Sequence, residues 1–170
     1  LGLGNAGNVT VNAPDSVSLV NADIFSNVEA GAQGDGGDID ITTATFSLSN
    51  GSQLQTSIRQ TDGVLAGGKG NAGDVTINAN KVELDGINDD GLLSAIFSNL
   101  GSGAEGNACN FIIRRASIST RVPDTSLSRS LGIGNAGNVT VNAADSVSLV
   151  NANIFSNVEA GAQGDGGDID

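Results

Sequence analysis

GNAGNVTVNA, residues 4–13, joins two Gly-Asn steps to the alternation Val9-Thr10-Val11. Written as G-x-x-G-[N/D]-[V/I]-x-[V/I], the phrase starts again at Gly34, Gly70, Gly134 and, as far as Asp170 carries it, Gly164, with a damaged copy at Gly106. The steps between starts are 30, 36, 36, 28 and 30 residues. A recurrence in that range marks a solenoid or a propeller-like array, because one such unit cannot bury its own apolar face. A longer repeat is superimposed. Residues 131–170 copy 1–40 with three changes, Leu3 to Ile133, Pro14 to Ala144 and Asp23 to Asn153.

Within a unit, apolar and polar residues alternate as they do in half-buried strands. The first unit gives Val9 and Val11, then Val17 and Leu19, then Ile24 and Val28 around Ser26. The second gives Ile39 and Ile41, Phe46 and Leu48, then Leu54 and Ile58 around Thr56; the third gives Val75 and Ile77, Val82 and Leu84, then Ile96 and Leu100 around Ser98. No stretch keeps a 3.6-residue rhythm, so the expected class is all-β. Propeller blades need tight hairpins between antiparallel strands, and only Asn50-Gly51 has that form. The expected architecture is therefore a right-handed parallel β-helix (β-solenoid) of about 30 residues and three short strands per coil. Its coils start near 4, 34, 70, 106, 134 and 164. Asn12, Asn78 and Asn142 suit corners, where an amide tolerates left-handed geometry. Extra residues at 59–69 and 87–93 must leave the stack as protruding loops.

Composition narrows the partners. The chain has 170 residues, 19 acidic against 7 basic, a net charge of −12, and no Met, Trp, Tyr or His. Such acidity argues against nucleic acid, whose phosphates need a basic surface, and against adsorption to anionic lipid. No run approaches the roughly 18 apolar residues of a membrane span, so no membrane insertion is expected. A single Cys rules out an internal disulfide framework. The first residue is not Met and the last phrase stops part-way, so 1–170 reads as a single β-solenoid fragment of a larger repeat protein.

The combination GNAGNVTVNA, SVSLVNADIFSNV and GAQGDGGDIDIT resembles the repeat region of filamentous-haemagglutinin-type exoproteins, in the long cyanobacterial form. These are the large passengers of two-partner secretion. The resemblance covers nearly the whole chain and is weakest from 106 to 130. It implies a right-handed parallel β-helix, an outer-membrane pore-type secretion partner, and a secreted, extracellular or cell-surface location. It also implies a structural or adhesive role towards surface glycans or neighbouring cells, with no catalytic residue to carry over. The glycines Gly4 and Gly7, Gly34 and Gly37, Gly70 and Gly73, Gly134 and Gly137 are structural positions in that pattern.

Several residues invite a more specific chemistry. In GDGGDIDIT (34–42), Asp38 and Asp40 point to the same outer face, and stacking places Asn8, Asp38 and Asp74 in one column. Oxygen ligands so arranged suit Ca²⁺, which makes Asp38, Asp40 and Asp74 metal candidates beside the plainer reading of a solvated acidic face. The nine-residue calcium repeat fails here, because Asp40 occupies its apolar position. DGINDDG (85–91) breaks the EF-hand pattern at Ile87 and lacks its closing Glu. Stacked Asp38 and Asp74, about 5 Å apart, meet the spacing of a retaining glycosidase pair. A carbohydrate-active β-helix enzyme or polysaccharide-binding module is therefore the alternative to a non-catalytic rod, although the chain lacks the His, Tyr and Trp usual at sugar clefts. The outward column Thr10, Asp40, Thr76, Ile112, Thr140, Asp170 is too broken by charges for an ice-binding face. Phe25, Phe97 and Phe155 adjoin inward Ile residues and should face outward, either as adhesive points or covered by a neighbouring loop.

GNACNFIIRR (106–115) is the odd copy. Cys109 replaces the glycine of Gly7, Gly73 and Gly137, and the unit shortens to 28 residues. Four of the five arginines, Arg114, Arg115, Arg121 and Arg129, fall between 106 and 133. They form a candidate patch for anionic ligands, set against a decayed coil that the stack tolerates. Arg129 is expected where Ser26 and Thr56 point inward.

Overall fold

A computed structural model describes residues 2–114, 117–120, 128–150 and 153–170. Every regular element among them is a strand: β1 (Val9–Val20), β2 (Ile24–Val28), β3 (Ile39–Ser49), β4 (Gln53–Ile58), β5 (Val75–Asp85), β6 (Ala95–Leu100), β7 (Phe111–Arg114), β8 (Ser117–Thr120), β9 (Ser128–Ser130), β10 (Val139–Asn142), β11 (Val147–Leu149) and β12 (Ser156–Val158). All pairing between these strands is parallel, and it joins each repeat unit to the next. One sheet runs β1-β3-β5-β7-β10, with β8 on β5 and β11 on β8; a second runs β2-β4-β6-β9-β12.

The register is the one the repeated phrase sets. Val9 stands opposite Ile39, Ile39 opposite Val75, Val75 opposite Phe111, and Phe111 opposite Val139. The reason is burial: slipping by one residue would turn every inward Val, Ile and Leu to solvent. Ile39, Ile41, Phe46, Leu48, Leu54, Ile58, Val75, Ile77, Val82, Ile96 and Leu100 are fully buried. Each such side chain contributes about 1.5–3 kcal/mol relative to exposure. Inward Ser26, Thr56 and Ser98 are buried too.

Two features differ from the sequence expectation. In the first three units the first two strand segments run on as one long strand, and the β1–β3 register shifts between Ala13 and Ser16, around Pro14. Proline has no N–H to give a ladder, and it sits where pairing lapses. Three separate segments occur only in the fourth and fifth units. Arg129 also departs: it stands opposite Asn99 and Asn157, while Ser128 takes the place opposite Ser98 and Ser156. The fourth unit's two missing residues lie after this strand, where 131–133 replace a five-residue corner such as 101–105. The register ahead of that corner is therefore undisturbed.

The first glycine of the phrase recurs in all six copies, with φ of 148° at Gly4, 151° at Gly34, 139° at Gly70, 141° at Gly106, 150° at Gly134 and 141° at Gly164. L-residues rarely adopt that backbone. A Cβ at Gly34, Gly70, Gly106, Gly134 or Gly164 would also overlap the carbonyl of the same glycine one unit earlier. The two inserted segments stand at the surface, Val64 being 90% exposed.

Candidate functional site

The acidic and amide residues of the phrase form two ladders between units. Asn5, Asp35, Asn71, Asn107 and Asn135 each accept, through Oδ1, the backbone N–H of their counterpart one unit on, at 2.8–3.2 Å. Asn8, Asp38, Asp74, Asn110 and Asn138 do the same at 2.9–3.1 Å, ending on Asp168 N–H. These corner amides have no partner in either sheet, so a side-chain oxygen two bonds beyond Cβ completes them. The sequence carries a signal for this role. Asn and Asp interchange freely at both positions, and the carbonyl oxygen is what they share.

Asp38 and Asp74 thus share a column as expected, but their Oδ1 atoms bind the N–H groups of Asp74 and Asn110. Asp40 stands in another column, opposite Thr10 and Thr76. Among the described residues no three His, Cys, Asp or Glu side chains gather to hold a metal ion. Asp38, Asp40 and Asp74 are not brought together as a Ca²⁺ site. Replacing Asp38 separates the ladder from a charge-based role. Asp38→Asn keeps the acceptor and removes one of two stacked charges, so its stability should match or slightly exceed the parent's. Asp38→Leu orphans the Asp74 N–H and should cost about 1 kcal/mol. Denaturant titration of the two variants checks both.

Cys109 sits in the column of Gly37, Gly73 and Gly137 and is buried. In the first unit a serine clips this corner: Ser26 Oγ donates to Gly7 C=O at 3.1 Å and accepts from Gly37 N–H at 2.9 Å. Ser156 repeats the clip on Gly137 and Gly167. At the odd copy, Ser98 Oγ accepts from Cys109 N–H at 2.8 Å, and Thr56 Oγ1 donates to Cys109 Sγ at 3.1 Å. Burial pushes the thiol from its ordinary 9.0 up to about 11, more than its hydrogen bonds lower it, and the Asp74 charge adds to the rise. The folded thiol holds its proton to higher pH than the unfolded one. Stability from this source is therefore intact below pH 9 and falls as pH rises towards 11. At pH 10 the parent should lose about 1 kcal/mol more than Cys109→Ala, and iodoacetamide at pH 8 should label Cys109 only after unfolding. Denaturant melts at pH 7 and 10 read the first effect and mass spectrometry the second.

Arg114, exposed, ends β7 in the first sheet, opposite Asn78 and Asn142. Arg129 lies in the second sheet, its Nε 3.1 Å from Glu159 Oε1, close enough for an ion pair though not aligned as a hydrogen bond. Arg115 and Arg121 lie outside the described residues. Of the four arginines, the two described ones stand on different sheets. The inserted loops fold on their own acids and amides. Asp62 accepts from Leu65 N–H and Val64 N–H, which holds its carboxyl below the ordinary 3.8, and Asn88 accepts from Asp90 and Leu92 N–H.

The outward Phe residues were legible. Phe25 is 48% exposed, and Phe97 is half-buried beside Leu92 and Leu93 of the second inserted loop. What sequence reasoning missed is their partner column, Asn27, Ser57, Asn99, Arg129 and Asn157. The signal was the thrice-written I-F-S-N.

No family model, curated protein or solved structure matches the chain.

Proposed function

We propose that the chain is a structural and adhesive rod segment of a large secreted or surface-displayed exoprotein, built as a right-handed parallel β-helix and doing no chemistry of its own. The observation that carries the reading is unit-to-unit continuity: two parallel sheets and two side-chain ladders run through the same register from one copy of the phrase to the next. The connection between strands supports the right-handed winding. β1 and β3 are parallel neighbours in one sheet, joined through β2 in the other, and such crossovers are right-handed in nearly all cases.

A stack of this kind transmits geometry. Each unit touches its neighbours, so length changes by whole blocks while the cross-section stays fixed. The near-identity of 1–40 and 131–170 suits growth by the 130-residue block between Gly4 and Gly134, which spans four units. Asp38 and Asp74, whose stacking also suits a glycosidase pair, each spend Oδ1 on a ladder N–H, which supports the non-catalytic reading. Export through an outer-membrane pore partner and display towards surface glycans or neighbouring cells follow from the resemblance to filamentous-haemagglutinin-type exoproteins.

Small-angle scattering of chains carrying one, two and three blocks tests the rod. Each added block should lengthen the particle by about 19 Å, four steps of ~4.8 Å, at constant cross-section. A cross-section that grows with block number would overturn the reading.

A further inference from the structure

IFSNV (24–28) and IFSNL (96–100) each place a Phe, and an Asn two residues on, on the outer side of the second sheet, and IFSNV (154–158) repeats the sequence with Asn157 paired in the same column. Phe25 stands opposite Gln55 and Gln55 opposite Phe97; Phe155 directly precedes Ser156 of β12. The Phe–Asn pair therefore falls on the first, third and fifth units, at intervals of about 10 Å along the stack.

A second observation falls on the same pairs. Asn27, Asn99 and Asn157 each have a covered Oδ1 with no hydrogen-bond partner among the described residues. Unmatched buried acceptors are uncommon, and here one atom type repeats three times at one position. The surface around Phe97 also sinks into two adjoining clefts of about 240 and 280 Å³ that share Gln53, Phe97 and Asn99. No carboxylate lines either cleft, although the chain carries a net charge of −12. Nearby charges are matched in pairs, Arg59 with Glu29 and Arg129 with Glu159.

We propose that this face binds an extended, uncharged β-1,4-linked polysaccharide lying along the stack. In such a chain alternate sugars turn the same face outward, so sugars two apart meet successive Phe rings. The apolar C–H face of a sugar packs on the ring. The amides of Asn27, Asn99, Asn157 and half-buried Gln53, donor and acceptor together, pair with hydroxyls, and a χ2 rotation of the Asn brings its unmatched oxygen to a hydroxyl donor. Gln55, buried between Phe25 and Phe97, donates to Ser57 Oγ and takes no part. A protein partner without repeats lacks the two-unit translation that the Phe–Asn pairs share. This inference rests on the rod reading for its continuous face, and names the ligand class of that face.

Affinity electrophoresis in hydroxyethylcellulose and calorimetric titration with cellohexaose test it, with maltohexaose as the α-linked comparison. The parent chain should be retarded and bind cellohexaose in preference to maltohexaose, with little change at about 0.5 M NaCl, because no ion pair is involved. Phe25→Leu, Phe97→Leu and Phe155→Leu together keep apolar bulk and remove the rings; they should weaken binding at least tenfold while circular dichroism stays that of the parent. Absence of binding by the parent, binding that survives the triple variant, or binding abolished by salt would each overturn the proposal. The scattering increment per block is read on the same proteins. If it persists without glycan binding, this inference falls alone; if it is lost, the rod reading falls.

Discussion

Gly70→Ala is expected to destabilise the chain by about 4 kcal/mol, the joint cost of a disfavoured backbone and an overpacked corner. At φ 139° an L-residue is strained, and the new Cβ would overlap the carbonyl of Gly34. The corner cannot yield, because Gly34 N–H and Gly70 N–H each donate one turn further along the stack, to the C=O of Lys69 and Glu105 at the ends of their own units. Any shift must therefore pass to neighbouring units, as damage does in stacked arrays. Gly63→Ala is the comparison. It also has positive φ, 87°, but lies in an inserted loop with open space around it, and should cost only about 1 kcal/mol. Urea denaturation of both variants gives the ratio.

Phe46→Ala should cost a similar amount, about 4 kcal/mol. Phe46 is fully buried between Val17 and Val82 of the adjoining strands. Its removal leaves a cavity that two fixed registers cannot close. Phe25→Ala, on the outer side and 48% exposed, should change stability by less than about 0.5 kcal/mol. The contrast between two phenylalanines isolates inward from outward position within a single chain, and thermal and urea melts report it.

Much of the fold was legible because one face of each strand is apolar and the phrase fixes where each strand begins. Val75 opposite Ile39 and Phe111 follows from aligning the glycines, as does the burial of Ile41, Ile77 and Leu100. Alignment fails where a unit changes length: the fourth unit's deletion lies after its third strand, so Ser128 and not Arg129 pairs opposite Ser98. The candidate metal residues were legible only as a column. Spacing correctly put Asp38 and Asp74 in one column but said nothing of the corner N–H groups that occupy them. The Phe–Asn face was half visible, since alternation predicts that Phe25 and Phe97 point outward. The unmatched amide oxygens of Asn27, Asn99 and Asn157 appear only once the units are stacked.

The stacking of units in one register is measured most directly between spin labels at positions 10 and 140, in a Cys109→Ala background. Thr10 and Thr140 lie in the same outward column, joined through Asp40, Thr76 and Ile112. Four steps at ~4.8 Å place them about 19 Å apart. Pulsed electron–electron resonance should give one narrow distribution near that distance once label length is included. A broad distribution, or one centred beyond about 35 Å, would contradict the stack of parallel units spaced as in a β-sheet.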